Sequence, residues 1–205
     1  MRMKSFLAYV LLAALALPAA AQNPPEGTPM RIRGSVEKLD GQNLMVKSRD
    51  GQPLTIVLAP NFTVRGVVAK TVADIKPGDF VASTSIKGPD GKLHAIEVHV
   101  LPDSLRGVAR EGQFPWDLVP EGIMTNATAA EIISAPQGQV MKVTYKDGEA
   151  DVIVPPGIPI VGYVPGDAGL LKPGAAVFVT AQKKSDGTLT ASSVTAEKDG
   201  VKPPM

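Results

Sequence analysis

The residues best suited to chemistry lie in one short stretch, Asp90 followed by His94-Ala-Ile-Glu97-Val-His99. Imidazole and carboxylate side chains together bind zinc or another divalent cation. On a strand, alternate side chains share a face, so Glu97 and His99 point one way and His94 the other. Only a β-bulge would gather all three. Glu97 and His99 are therefore the stronger metal pair, with His94 the weaker candidate and a further ligand required from elsewhere. A later copy of this stretch carries Thr190, Ser193 and Thr195 at the same places, and a solvated strand face explains the pattern without any metal.

Other chemistry is scarce. The chain has no Cys and only two His. It lacks a Gly-x-Ser-x-Gly elbow, a phosphate-cradling Gly-rich loop and a His-Glu-x-x-His helix. Asp50, Asp90, Asp147 and Asp186 precede or neighbour glycines in turns, where Asp serves backbone geometry. These observations point to no catalytic residues and no cofactor. A carboxylate-dependent hydrolase survives as an alternative only because acids distant in sequence can meet in space. Arg31, Arg33, Lys38 and Lys47 place positive charge near the first hairpin, as an anion-binding strip or as a solvated strand face. Asn61-Phe-Thr63 and Asn126-Ala-Thr128 fit the glycosylation triplet but follow a leader of bacterial type, so they are discounted.

That leader sets the location. A basic start at Arg2 and Lys4 precedes an apolar run from Ser5 to Leu17, and Pro18-Ala-Ala-Ala21 closes it. This is the layout of a secretory signal peptide cleaved after residue 21, too short to span a bilayer at ~20 apolar residues. The expected address is the periplasm or the medium. Removing 21 of 205 residues leaves 184, and the formal charge moves from +1 to −1. No later stretch is long and apolar enough to cross a membrane. A near-neutral surface also argues against nucleic acid, which is bound through many Lys and Arg contacts to phosphate.

The elements that would position these residues are short strands. Gly and Pro make up about one residue in five after the leader and punctuate β-branched runs, the pattern of strands joined by tight turns. The runs repeat. Ile75-Lys-Pro-Gly-Asp-Phe-Val81 lies over Leu171-Lys-Pro-Gly-Ala-Ala-Val177, and at this offset of 96 residues 11 of the 26 positions from Ile75 to Val100 are identical. Met30 and Glu37 match Met124 and Glu131 at an offset of 94. Two homologous units follow, residues 30–102 and 124–198, between an N-terminal tail over 22–29 and a C-terminal tail over 199–205. Each unit reads as five strands, with Asp-Gly hairpins and a short helix between strands three and four, capped by Thr71 or Asp167. That is the order of an OB-type barrel. The expectation is mainly β structure in two tandem five-stranded barrels, with a pair of sandwiches sharing strands as the alternative.

The connector, residues 103–123, has no counterpart in either unit. It carries Phe114-Pro-Trp116-Asp-Leu118 and the chain's one Trp. Two readings are open. Phe114, Trp116 and Leu118 plug the seam between barrels, or Phe114 and Trp116 form an aromatic contact for a partner, a periplasmic protein or a glycan.

The repeated Lys-Pro-Gly-x-x-Val and Asp-Gly-x-Leu-x-Ala, with Pro115-Trp-Asp-Leu118 and Met124-Thr-Asn-Ala-Thr128 between the halves, resemble an exported bacterial domain family of unknown function. That family looks OB-like and often occurs in tandem, as in small exported proteins of alphaproteobacteria. The resemblance covers nearly the whole chain after the leader. It implies an exported β-barrel protein and supplies no catalytic residues. Some similar proteins carry the label "metal ABC transporter permease", a role that needs membrane spans this chain lacks once the leader is removed. The expected function is thus non-enzymatic binding or scaffolding in the periplasm. A metal-binding accessory built on His94, Glu97 and His99 is the alternative.

Overall fold

The computed structural model describes residues 27–136 and 138–204; the expected leader lies outside them. Twelve strands form in chain order: β1 (Thr28–Asp40), β2 (Asn43–Ser48), β3 (Pro53–Ala69), β4 (Phe80–Lys87), β5 (Leu93–Leu101), β6 (Gly112–Pro115), β7 (Ile123–Ala135), β8 (Gly138–Tyr145), β9 (Gly148–Val154), β10 (Ile160–Gly166), β11 (Ala176–Lys183) and β12 (Leu189–Ala196). Mainly β structure is as expected. Among the described residues no helix is long and apolar enough to cross a membrane.

One closed five-stranded barrel is present, and its composition was not foreseen. β1, β2 and β3 pair in series; β3 then pairs with β12, β12 with β11, and β11 with β1. Three strands come from the first unit and two from the second. Five of the seven remaining strands make a complementary circuit, β4–β5–β9–β8–β7–β4, with β6 added to β7 and β10 bridging β3 and β5. Its β5–β9 seam is held by only two residue pairs, Leu93 with Val152 and His94 with Ile153. The expectation that each repeat closes on itself is thus corrected. The strands exchange between units: the second half of β3 pairs with β10 and β12 of the second unit and not with β4.

The exchange keeps the repeat symmetry. Leu189 faces Ile56 as Leu93 faces Val152, and Val194 faces Val64 as Val98 faces Ile160. Along the first strand of each unit the equivalence is 93 residues, not 94. Arg33 faces Phe178 while Asn126 faces Ala82, and Ala82 and Phe178 are themselves equivalent. Glu37 therefore corresponds to Ala130; both are the extra residue of a bulge. The expected helix in each unit is a single three-residue 3-10 turn, Val72–Asp74 and Ala168–Leu170. The expected caps are in place: the Thr71 amide donates to Asp74 Oδ2 at 2.8 Å, and Asp167 Oδ1 accepts from the Gly169 amide at 2.7 Å.

Alternation along the strands gives each circuit its own core. Ile32, Leu44, Val46, Ile56, Val177 and Val194 fill the barrel, and Val81, Val98, Met141, Val143 and Val152 fill the second circuit. Each of these fully buried side chains contributes on the order of 1.5–3 kcal/mol. The connector does not hang free. Its β6 adds to β7, Arg106 donates to Gly78 O at 2.6 Å and Thr128 Oγ1 at 2.9 Å, and Asn126 Nδ2 donates to Arg110 O at 2.7 Å. The C-terminal tail is also fixed. Asp199, at φ 50°, and Gly200 turn the chain so that Lys198 bridges Val201, and Pro203 is buried.

Candidate functional site

The outer faces of the barrel and of the second circuit meet, and between them lies a cavity of about 270 Å³. It is lined by equivalent positions from both units. Glu97 and His99 of β5 stand where β12 carries Ser193 and Thr195; Asn126 of β7 stands where β1 carries Arg33; Ala82 of β4 stands where β11 carries Phe178. Duplication made the site symmetric in backbone, and divergence made it asymmetric in charge. Arg65 from β3 and Tyr163 from β10 complete it, and Trp116 of the connector, Pro203 and Pro204 add to its wall.

A β-bulge does occur in β5. Thr84 pairs with Glu97 and Ser85 with Ala95, so Ile96 is extra. The alternation shifts there, and Leu93, Ala95, Val98 and Val100 all serve the core. His94 thereby joins the outer face of Glu97 and His99, yet the three do not converge. His94 Nε2 lies 3.0 and 3.1 Å from the carboxylate oxygens of Asp90 in the hairpin turn. Glu97 and His99 do meet, with Oε1 and Nε2 3.2 Å apart. Among the described residues no group of three His, Cys, Asp or Glu is close enough to hold a metal ion.

Glu97 is buried and engaged on one oxygen only. The Thr84 hydroxyl donates to Oε1. Burial pushes this carboxyl up, but His99, Thr84 and the Arg33 guanidinium outweigh it and hold the group below its ordinary 4.5. It is ionised at neutral pH. His99 Nδ1 is 2.5 Å from the Tyr163 hydroxyl, and the two rings stack at 5.8 Å. Burial, followed by the Glu97 charge, pushes the Tyr163 phenol far above its usual value, so it stays protonated. Among the described residues, three buried polar atoms in this wall have no hydrogen-bond partner: Glu97 Oε2, Asn126 Oδ1 and His99 Nε2, whose contact with Glu97 Oε1 at 3.2 Å is an ion-pair approach only. Buried polar atoms are nearly always paired, so three together in one cavity call for an explanation.

The opposite wall is cationic and aromatic. Arg33, with its side chain 5% exposed, donates to Asp117 Oδ1 at 3.1 Å. Arg31 lies 4.1 Å above the Trp116 ring and 3.7 Å from Asp117. Burial raises the Asp117 carboxyl, and Arg33 and Arg31 more than reverse that. Trp116 is half-buried here and forms cavity wall; Phe114 meets it edge-on at 6.1 Å. The connector aromatics are thus packed at the seam, and their outer edges remain accessible.

The sequence reading singled out Glu97 and His99 as a metal pair and Trp116 as a seam plug or partner contact, and all three line this cavity. It read Arg33 as part of a charged strip and Asn126 as part of a glycosylation triplet, and it missed Arg65, Tyr163 and Phe178. A usable signal existed: at the 96-residue offset Tyr163 lies over Val67 and Phe178 over Ala82, and such unlike pairs mark where duplicated copies have diverged. No protein-family profile, curated protein or solved structure matches the chain.

Proposed function

We propose that this is an exported, non-enzymatic binding protein, two OB-like barrels with exchanged strands, whose small-molecule ligand occupies the cavity at their seam. The carrying observation is the set of three unpartnered buried atoms, Glu97 Oε2, His99 Nε2 and Asn126 Oδ1, around one cavity. A fully unsatisfied buried polar atom costs roughly 1–3 kcal/mol, less at His99 Nε2 with Glu97 Oε1 at 3.2 Å, and a polar ligand that reaches these atoms would recover that energy. Glu97 is the one acid lining the cavity, which favours binding over hydrolysis by paired carboxylates. The leader-like first 21 residues favour export, and the resemblance to exported tandem OB-like proteins agrees with it. An N-terminus at Gln22 in periplasmic material tests that part.

Binding is tested by thermal denaturation against small polar metabolites, comparing wild type with Ala82→Leu. A ligand at 100 times its Kd adds about 2.7 kcal/mol, roughly 5–10 °C in a chain of this size. The rise is expected in wild type and absent in Ala82→Leu, whose longer side chain fills the cavity. Equal shifts in both would place the ligand elsewhere, and no shift with any compound would remove the binding reading.

A further inference from the structure

The chemistry of the ligand can be taken further on the strength of that seam site. Asp117 compensates Arg33, with Nη2 and Oδ1 3.1 Å apart, and Arg31, the second arginine on Asp117, does not line the cavity. Two charges of opposite sign are then left on the cavity wall. One is Glu97, whose Oε2 has no donor. The other is Arg65, half-buried, which among the described residues makes no salt bridge and no side-chain hydrogen bond. These two form no ion pair with each other, although both line the same cavity. They arrive on different strands: Arg65 sits on β3 opposite Pro165 and Thr195, Glu97 on β5 opposite Thr84. Tyr163, between Val67 on β3 and the His99 ring, stands within range of both charges.

Beside Glu97 the further free group of fixed polarity is an acceptor. Asn126, which lines the cavity, donates its Nδ2 to Arg110 O, and its buried Oδ1 has no partner among the described residues. A carboxylate oxygen and an amide oxygen together match a ligand group rich in N–H donors, such as an ammonium. A lone guanidinium matches a carboxylate, which it holds by two parallel hydrogen bonds. Leu101, Leu105, Met124, Phe178 and Trp116 supply apolar walls. At about 270 Å³ the cavity falls below the ~300–1,000 Å³ of sites for drug-sized ligands.

We infer that the seam cavity binds a small zwitterion with an apolar body, of the free α-amino acid class, its ammonium on Glu97 and Asn126 and its carboxylate on Arg65. A neutral sugar would leave both wall charges unpaired. A simple anion would leave Glu97 without a donor, and a simple cation would leave Arg65 without an acceptor.

Calorimetric titration of the full-length secreted protein tests this with L-leucine and L-phenylalanine, their amides, their N-acetyl derivatives, and glucose. Amides keep the ammonium and lose the carboxylate; N-acetyl derivatives do the reverse. The free amino acids are expected to bind at least ten-fold more tightly than either derivative, since a charged hydrogen bond is worth about 1.5–3 kcal/mol. In Arg65→Gln the gap between amino acid and amide should close. In Glu97→Gln the gap between amino acid and N-acetyl derivative should close, with circular dichroism confirming that each variant is folded. Arg65 is only half-buried, so its variant keeps the test valid if Glu97→Gln does not fold. Equal binding of either derivative, or stronger binding of glucose, would overturn the zwitterion while leaving a ligand cavity. Absence of binding by every probe also overturns it, and the Ala82→Leu melting comparison then decides whether the cavity binds anything.

Discussion

Val67 and Tyr163 face each other across the β3–β10 ladder and are also counterparts in the repeat, 96 positions apart. The two-fold relation between the halves therefore passes through this pair. One copy carries an apolar side chain that is fully buried, and the other carries a phenol that reaches His99 Nδ1 at 2.5 Å. Symmetry is broken at its own axis, and the polar cavity wall begins there.

Tyr163→Phe removes the hydroxyl and leaves a ring nitrogen of half-buried His99 without its partner. The expected cost is about 1–3 kcal/mol, read as a lower urea midpoint with an unchanged slope. Unchanged stability would show that the contact contributes nothing.

Asp117 neutralises an arginine that has almost no water. In Asp117→Ala the Arg33 guanidinium stays buried beside Trp116 and Phe178, 5.7 and 5.1 Å from their rings. A fully buried pair broken on one side costs 3–5 kcal/mol. Asp117 is 49% exposed, so about 1–2 kcal/mol is expected. The double variant Arg33→Met with Asp117→Ala should recover most of that loss in equilibrium unfolding.

Acid weakens the fold through Glu97. Its folded pKa lies below its ordinary 4.5, so its contribution is fully present above that value and is lost as pH falls through the folded pKa. The difference in melting temperature between wild type and Glu97→Gln should be constant from pH 7 to about 5.5 and shrink steadily below about 4.5. A gap that instead widens toward low pH would reverse the assigned sign.

Cutting the connector tests the strand exchange. Gly107 and Val108 lie in an exposed turn, Val108 at 77%. Neither half supplies a complete circuit of five paired strands, so neither 22–107 nor 108–205 should fold as a monomer, while an equimolar mixture should give a 1:1 complex with the β spectrum of the intact chain. A cooperative, monomeric 22–107 fragment would mean that the first unit closes on itself.

Much of this architecture was legible in the chain, and the reason for the shortfall is physical. Asp50-Gly51, the Thr71 and Asp167 caps and the alternation of β2 and β8 are local features, set by turn geometry and burial. Which copy of a strand completes which circuit is different. Leu93 meets Val152 in one half and Leu189 meets Ile56 in the other, and exchanged and unexchanged pairings bury the same apolar residues. In the exchanged arrangement β3 continues past residue 58 as strand, and its residues 64–69 pair with β10. Of the site, Glu97 and His99 stood out by residue type. His94 was separated from them for the right structural outcome but the wrong reason: the bulge at Ile96 does align their faces, and Asp90 engages its ring in the hairpin instead. Arg65 has no informative neighbour, and Tyr163 is marked only by its unlike counterpart Val67; the exchange is what brings β10, paired with β3, against β5.

The exchange also imposes a timetable. β4, β5, β7, β8 and β9 are all available once residue 154 has emerged, whereas β1–β3 must wait for β11 and β12, which end at Ala196. The first strands synthesised are the last to be enclosed, a nested closure with pairings of long sequence separation and correspondingly slow kinetics. The cavity waits longer still, since Pro203 and Pro204 form part of its wall. The proposed ligand site is thus complete only in chains that have finished folding, and a half-made molecule lacks part of its wall.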